Sequence, residues 1–297
     1  MVAALALVLT CLIAGYLCAR LGAVPEGGAD ALNRFVIYVC LPAVVLRLVP
    51  KLAWRPGLAV LVVTPWLLVL VSFVLVSGIA RVARWSRAVQ GALLLCVPLG
   101  NTSFLGFPMI EALLGRDALK FAVLYDQLGS FLVLSTYGIL VAARFSGMGA
   151  PTPRALVMRI LRFPPLVALL LARVLPPHPG PVEVVLERLG DSLVPVAMFA
   201  VGLKLELRPP KEWGALAFGL STKMVALPLL ALGIARALGA PPLPFRVAVL
   251  ESAMPPMITA GALATMFGLA PELAAALVGY GVLAAVVVLP LWARLLG

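Results

Sequence analysis

Charge is scarce in this chain. Of 297 residues only 12% are Asp, Glu, Lys or Arg, against 63% hydrophobic, and the mean hydropathy is +1.12. No water-soluble domain buries that much apolar surface, so the shortage of charge excludes a soluble globular fold and points to a polytopic membrane protein. Histidine is nearly absent: His178, the single one, sits among Pro176, Pro177 and Pro179, in a loop where it is a poor proton relay or ligand. Metal sites need clustered ligands, and the sequence has no such cluster, so no metal is expected. The four cysteines, Cys11, Cys18, Cys40 and Cys96, lie in apolar runs without CxxC spacing and read as free thiols packing as small hydrophobes. GxSxG, HExxH and paired catalytic aspartates are all missing, which argues against an intramembrane enzyme. The absence of a pore motif and of a signalling domain argues against a channel or a receptor.

The charge that is present is mostly positive, 23 Lys+Arg against 12 Asp+Glu. In a soluble protein a net +11 would suggest nucleic acid. Here the basic residues sit singly or in threes at the ends of apolar runs, so the excess is a topology signal and no nucleic-acid partner is expected. Residues 1 to 21 have no Lys or Arg ahead of their apolar core and no small-x-small cleavage site, and so read as a first spanning helix rather than a signal peptide.

Apolar segments of spanning length fall at about 2–21, 31–49, 57–80, 87–114, 118–143, 154–175, 182–205, 212–237, 244–268 and 272–295. Ten spans in two fives invite a search for a repeat. Pro42 and Pro56 match Pro195 and Pro209 at a shift of 153, and Asp117 and Tyr125 match Glu272 and Tyr280 at a shift of 155. Arg87 precedes Pro98 as Arg246 precedes Pro255. The expected fold is therefore all-α, with ten transmembrane helices in two five-helix repeats, 1–147 and 153–297. An odd helix count per repeat makes the two inverted in the bilayer. With the N-terminus outside, twelve basic residues face inward and ten outward. Seven of the twelve crowd into the connections 81–87 and 144–162, which sets both termini outside.

Two spans do something that plain membrane helices avoid. The fourth reads Leu95-Cys96-Val97-Pro98-Leu99-Gly100-Asn101-Thr102-Ser103-Phe104-Leu105-Gly106-Phe107-Pro108. Pro98 has no N–H and its ring clashes with the Leu94 carbonyl, so the helix breaks there. Asn101, Thr102 and Ser103 are N-cap residues that let a second piece start at once. The ninth reads Glu251-Ser252-Ala253-Met254-Pro255-Pro256-Met257-Ile258-Thr259, where two prolines remove two donors and push Met254 out of the helical region. Breaks in lipid are tolerated only where protein or a water-filled cavity surrounds them. Corresponding breaks in two halves point to a transporter site at the bilayer midplane. Freed N–H groups at half-helix N-termini favour an anion, typically a carboxylate.

The stretch from Gly100 to Pro108 resembles the fourth-helix motif of the auxin efflux carrier family, which includes plant PIN-type auxin exporters and bacterial carriers of malonate and similar acids. Leu32 to Tyr38 with Leu41-Pro42, Lys223 with Pro228, and Glu251 to Pro255 are similar to the same family, so the resemblance covers essentially the whole chain. It implies a scaffold domain of helices 1, 2, 6 and 7, which also serves dimerisation, and a transport domain of helices 3–5 and 8–10, with helices 4 and 9 crossing at their prolines beside the substrate. The plant members' long loop between helices 5 and 6 is missing, so their phosphorylation control is not carried over. Ser103 stands where the motif often has Gly.

Ionisable residues inside spans cost about 2.5–3.5 kcal/mol each near the centre on insertion scales. Glu251 is the first candidate for coupling to H⁺ or Na⁺. The looser resemblance to bile-acid sodium symporters, which carry an acidic residue at the comparable place, supports the position and not the ion. Asp126 is a second coupling candidate, or else structural, as a pair of Lys223 or in a capping hydrogen bond. Lys223 is equally a charge partner for an anion. The sequence thus predicts a secondary transporter of small organic anions, working by alternating access in a bacterial or archaeal cytoplasmic membrane. Its substrate contacts are Asn101, Thr102, Ser103, Pro256, Met257, Ile258 and Thr259, with Pro98, Pro255 and Pro256 at the crossover. The alternative is a Na⁺-coupled bile-acid-type symporter.

Overall fold

The computed structural model describes residues 2–53, 55–147, 152–177, 180–207 and 209–297; His178, Arg208 and the side chain of Arg159 lie outside the described part. The elements formed by the described residues are helices: α1 Val2–Arg20, α2 Gly28–Lys51, α3 Pro56–Val82, α4 Arg87–Cys96, α5 Thr102–Leu114, α6 Arg116–Ser146, α7 Pro153–Leu161, α8 Pro164–Val174, α9 Pro181–Asp191, α10 Leu193–Leu203, α11 Trp213–Ala237, α12 Pro242–Ser252, α13 Ile258–Met266 and α14 Pro271–Leu295. Six of these, α1, α2, α3, α6, α11 and α14, are long and apolar enough to cross a membrane, which makes the chain an integral membrane protein.

The remaining four expected spans are interrupted. The fourth is split into α4 and α5 and the ninth into α12 and α13, at the prolines that the sequence singles out. The sixth and seventh are interrupted too. Pro164 and Pro165 cannot continue α7, and they open α8 at its first turn, where their missing N–H groups cost nothing. Pro195 denies the Asp191 carbonyl its partner, and α9 gives way to α10 at Ser192.

Pro65 in α3 and Pro290 in α14 sit inside continuous α-helix, but α2, α5 and α11 each take in a proline by another device. A π-helical turn spans Val36–Cys40, Thr102–Gly106 and Thr222–Ala226, and each ends two residues before a proline, Pro42, Pro108 and Pro228. The widened turn gives the ring room that an α-turn lacks. In α11 the carbonyl freed four residues before Pro228, that of Met224, accepts the Trp292 indole N–H at 3.0 Å.

The helices sort into two compact units by proximity. One comprises Met1–Arg55, Ser103–Val123 and Met158–Leu205; the other comprises Pro56–Thr102, Leu124–Val157 and Glu206–Gly297. In the first, α1 runs along α10 at backbone contact. A Cβ on Gly15 would collide with the Phe199 carbonyl, and one on Gly202 with the Leu12 carbonyl. Membrane helices gain nothing from exchanging lipid for apolar side chains, so close backbone approach at small residues is what holds them together. In the second, α4 is buried among α3, α6, α11, α13 and α14, with Ala92, Leu93, Leu94, Leu95 and Cys96 at 0% exposure.

The two kinds of helical glycine give a paired expectation. Gly202→Ala should lower the unfolding temperature in detergent by several degrees, because backbone atoms cannot yield to the new methyl. Gly214→Ala, with nothing within 4 Å of the new carbon, should leave it unchanged or raise it slightly, as about 0.5–1 kcal/mol of helix propensity predicts. Equal shifts in the two variants would remove the α1–α10 contact from the account of stability.

Candidate functional site

The second unit contains the point where the broken spans meet. After α4 ends at Cys96 and a turn at Val97-Pro98 the chain runs extended from Leu99 to Asn101, and after α12 ends at Ser252 and a turn at Ala253-Met254 it runs extended from Pro255 to Met257. The two extended stretches pair antiparallel across Gly100 and Pro256. The Asn101 N–H donates to the Pro255 carbonyl and the Met257 N–H to the Leu99 carbonyl, both at 2.8 Å. Backbone that would otherwise be unpaired at membrane depth is thus satisfied by the other break. The side chains of Leu99 and Met257 pack with Val69, Val133, Leu134 and Ala260 into a small apolar cluster of their own.

The prolines also free carbonyls inside the half-helices, and side chains from other helices answer them. Pro98 deprives the Leu94 carbonyl of its donor; the Tyr137 hydroxyl supplies one at 3.1 Å. Pro256 does the same to the Ser252 carbonyl, and the Lys223 ammonium, buried to 2% exposure, donates to it at 3.1 Å. Gly100 of the motif has its reason here. A Cβ at that position would stand 3.0 Å from Lys223 Nζ and 3.3 Å from its Cε, so a side chain there would press on the end of the lysine and make it give by a few tenths of an ångström.

Beside the bridge lies a cavity of about 10 Å³ lined by Thr102, Tyr125, Ser130, Lys223 and Glu251 together with Pro65 and Pro98. That is room for roughly one water-sized occupant. Asp126 accepts from the Thr102 hydroxyl at 2.5 Å and from the Gln127 amide at 2.6 Å. The π-helical turn Asp126–Ser130 bulges α6 at this point, a common feature of functional positions in helices.

The predicted residues divide by how they are used. Asn101 is 1% exposed, yet neither its amide oxygen nor its amide nitrogen has a hydrogen-bond partner among the described residues. It therefore does not serve as the N-cap that its position suggests; the next piece opens as a π-helical turn at Thr102. Glu251 is fully buried, and both its carboxyl oxygens lack a hydrogen-bond partner as well. Met257 is consumed by the bridge, so its N–H is not one of the freed donors, whereas Ile258 and Thr259 occupy the first turn of α13, whose N–H groups have no acceptor within the helix. Ser103 belongs to the first unit. Tyr137 and Gln127 were not singled out by the sequence. Their signal is weak, a polar side chain in an apolar run, and only the break opposite gives it meaning.

A wholly helical membrane protein in which two interrupted helices meet through their backbones, beside buried polar groups, is a membrane transporter in class. The chain belongs to the family described as Membrane transport protein, Mem_trans, that of the auxin efflux carriers; the family model matches residues 1–293. It is a transporter and not an enzyme. Similar proteins include an uncharacterized transporter of Methanothermobacter thermautotrophicus, 30% identical over 97% of this chain and 96% of that one. A second uncharacterized transporter, from Methanocaldococcus jannaschii, is 25% identical over 98% and 97%. A Rhizobium meliloti protein named "Putative malonate transporter" is 26% identical over 88% of this chain and 85% of its own length.

Tyr137→Phe removes the donor to the Leu94 carbonyl and nothing else of size. It should cost about 1–3 kcal/mol, the penalty of a buried acceptor left without a partner, read as a lowered midpoint in thermal unfolding in detergent. A midpoint identical to the parent's would mean that the carbonyl is satisfied in another way.

Proposed function

We propose that this protein is a secondary active transporter of small organic carboxylates, working by alternating access at the crossing of the fourth and ninth spans. One observation carries the reading: at the bridge between the two breaks, Asn101 holds a buried amide with neither polar atom partnered. A buried unpaired polar group costs about 1–3 kcal/mol. Such a cost is sustained where a ligand repays it, and an amide offers a donor to a carboxylate. Thr102 and the first-turn N–H groups at Ile258 and Thr259 complete the cradle, with the positive end of α13 favouring negative charge.

The name of the Rhizobium meliloti relative and the family resemblance together put dicarboxylates such as malonate and auxin-like acids first among the substrates to be tried. The helices of spans 1, 2, 6 and 7 form the scaffold and those of 3–5 and 8–10 the transport domain in this reading. The spans arise from two inverted repeats, and the chain works as a homodimer with both termini outside. Glu251 takes the coupling ion. Its two oxygens lie without hydrogen-bond donors on the same cavity as Lys223; a proton needs no ligand beyond one of them, whereas Na⁺ would need further oxygens around it. A Na⁺-coupled symport remains the second reading, because the same two oxygens are those that a cation ligand requires.

In proteoliposomes tested with labelled malonate and an indole carboxylate, Asn101→Ala should abolish uptake while the unfolding midpoint stays at or above the parent value, since the unpaired amide is removed. Undiminished uptake would move the substrate site away from the crossover. Glu251→Gln should remove whichever ion dependence the parent shows, Na⁺ or pH. If that variant keeps the parent's dependence, coupling lies elsewhere.

A further inference from the structure

The first unit carries an ion-pair network that the transport reading leaves unused. Arg116, the first residue of α6, bonds Glu111 through Nε at 3.0 Å and Glu187 through Nη1 at 3.3 Å, and pairs with Asp191 through Nη2. Glu187 is shared: the same oxygen accepts from Arg47 Nη2 at 2.5 Å, and Arg47 Nε reaches Glu183 at 3.0 Å, where Lys51 joins at 2.6 Å. The end of α2, the α5–α6 corner and the whole of α9 are thereby tied into one chain of charges. A cavity of about 20 Å³ sits under it, lined by Val44, Arg47, Arg116, Leu119 and Gly190 among others. All of these groups fall on the face that the charge distribution makes the outer one.

Two observations give the network a meaning beyond stability. The inverted-repeat reading places the fourth and fifth spans with the third. In this conformation, however, residues 103–123 cluster with the first, second, sixth and seventh spans, and α5 packs on α1 and α10. The repeat-related corner between α13 and α14 behaves differently: it stays within the second unit, and Glu272, which corresponds to Asp117, makes no ion pair among the described residues. One of two equivalent corners is pinned, and Arg116 is the pin.

We propose that Arg116 is the key of a latch that holds the outer ends of the fourth and fifth spans on the second and seventh, and so keeps the carrier in one of its two access states until the pairs release. The physical logic is one of register. Apolar helix faces in lipid slide past one another at little cost, whereas ion pairs close at a single register. Exposed pairs are individually weak, and Arg116 is itself 47% exposed. Weak pairs suffice, because access states separated by a few kcal/mol are redistributed by a bias of one or two. The inference rests on the alternating-access reading, and it adds to that reading the element which sets the resting state.

The test uses full-length protein in which Cys11, Cys18, Cys40 and Cys96 are alanine and Leu119, 6% exposed beside Arg116, is cysteine. A sulfonated, membrane-impermeant maleimide reports how often the corner opens, without any transported substrate. Labelling should be slow in this background and about tenfold faster with Arg116→Gln, as three modest pairs acting together predict. Arg116→Lys, which keeps the positive charge among the three acids, should stay near the slow rate. Equal rates with and without Arg116→Gln overturn the latch, and so does labelling of Arg116→Lys as fast as that of Arg116→Gln, since the effect would then follow the shape of the side chain and not its charge. If Arg116→Gln does not purify as a monodisperse protein, Asp191→Asn takes its place in the same comparison with the same two outcomes. Failure here leaves the Asn101 uptake result untouched, and failure there leaves the labelling result untouched.

Discussion

A proline in a membrane helix frees a carbonyl four residues earlier, and in hydrocarbon no water is at hand to take it up. Much of this structure follows from that debt. The Leu94 carbonyl goes to Tyr137, the Ser252 carbonyl to Lys223 and the Met224 carbonyl to Trp292, each donor coming from a different helix than the acceptor. Where whole stretches lose helical pairing, at Leu99 to Asn101 and at Pro255 to Met257, the two stretches satisfy one another. The second unit is packed around these bonds because each of them demands a particular side chain at a particular depth. Gly100 leaves the end of Lys223 the room it uses to reach the Ser252 carbonyl.

This requirement also separates what the sequence discloses from what it conceals. Pro98 and Pro255-Pro256 announce their breaks, since a missing N–H is a local property. Pro164-Pro165 and Pro195 announce theirs by the same rule, although an unbroken run of apolar residues hides them from a reading based on length. The partners are another matter. Tyr137 lies 43 positions from Leu94 and Trp292 lies 68 from Met224, and no periodicity in either segment points across that distance. Lys223 stands out in the sequence as a charge within an apolar span. The geometry adds a backbone duty that a charge-pairing argument would not have found.

Asn101 shows the same limit from the other side. Three cap-forming residues after a break suggest capping, because local rules count only local acceptors. The amide instead remains free of partners while its own backbone N–H is spent on Pro255. A one-dimensional reading cannot see that the second break arrives to use the backbone. The ion pairs of the first unit were equally invisible as a group. Arg47, Glu111, Arg116 and Glu187 each look like a helix-end charge with solvent to itself, and only the convergence of three segments makes them one network.

The distribution of unpaired groups is the strongest guide to function that the structure offers, and it has to be weighed by size. Thr64 and Ser72 each leave one buried hydroxyl without a partner, a modest cost. Asn101 leaves two atoms and Glu251 two more, within a unit whose carbonyls have otherwise recruited donors from three helices. A fold that goes to such lengths to satisfy Leu94, Ser252 and Met224 has the means to satisfy an amide and a carboxyl beside them. It leaves both open beside the one bridge where the two breaks meet, and the proposed binding site rests on that concentration of unpaired groups. On that proposal the missing partners would come and go with each cycle, and no permanent side chain could take their place.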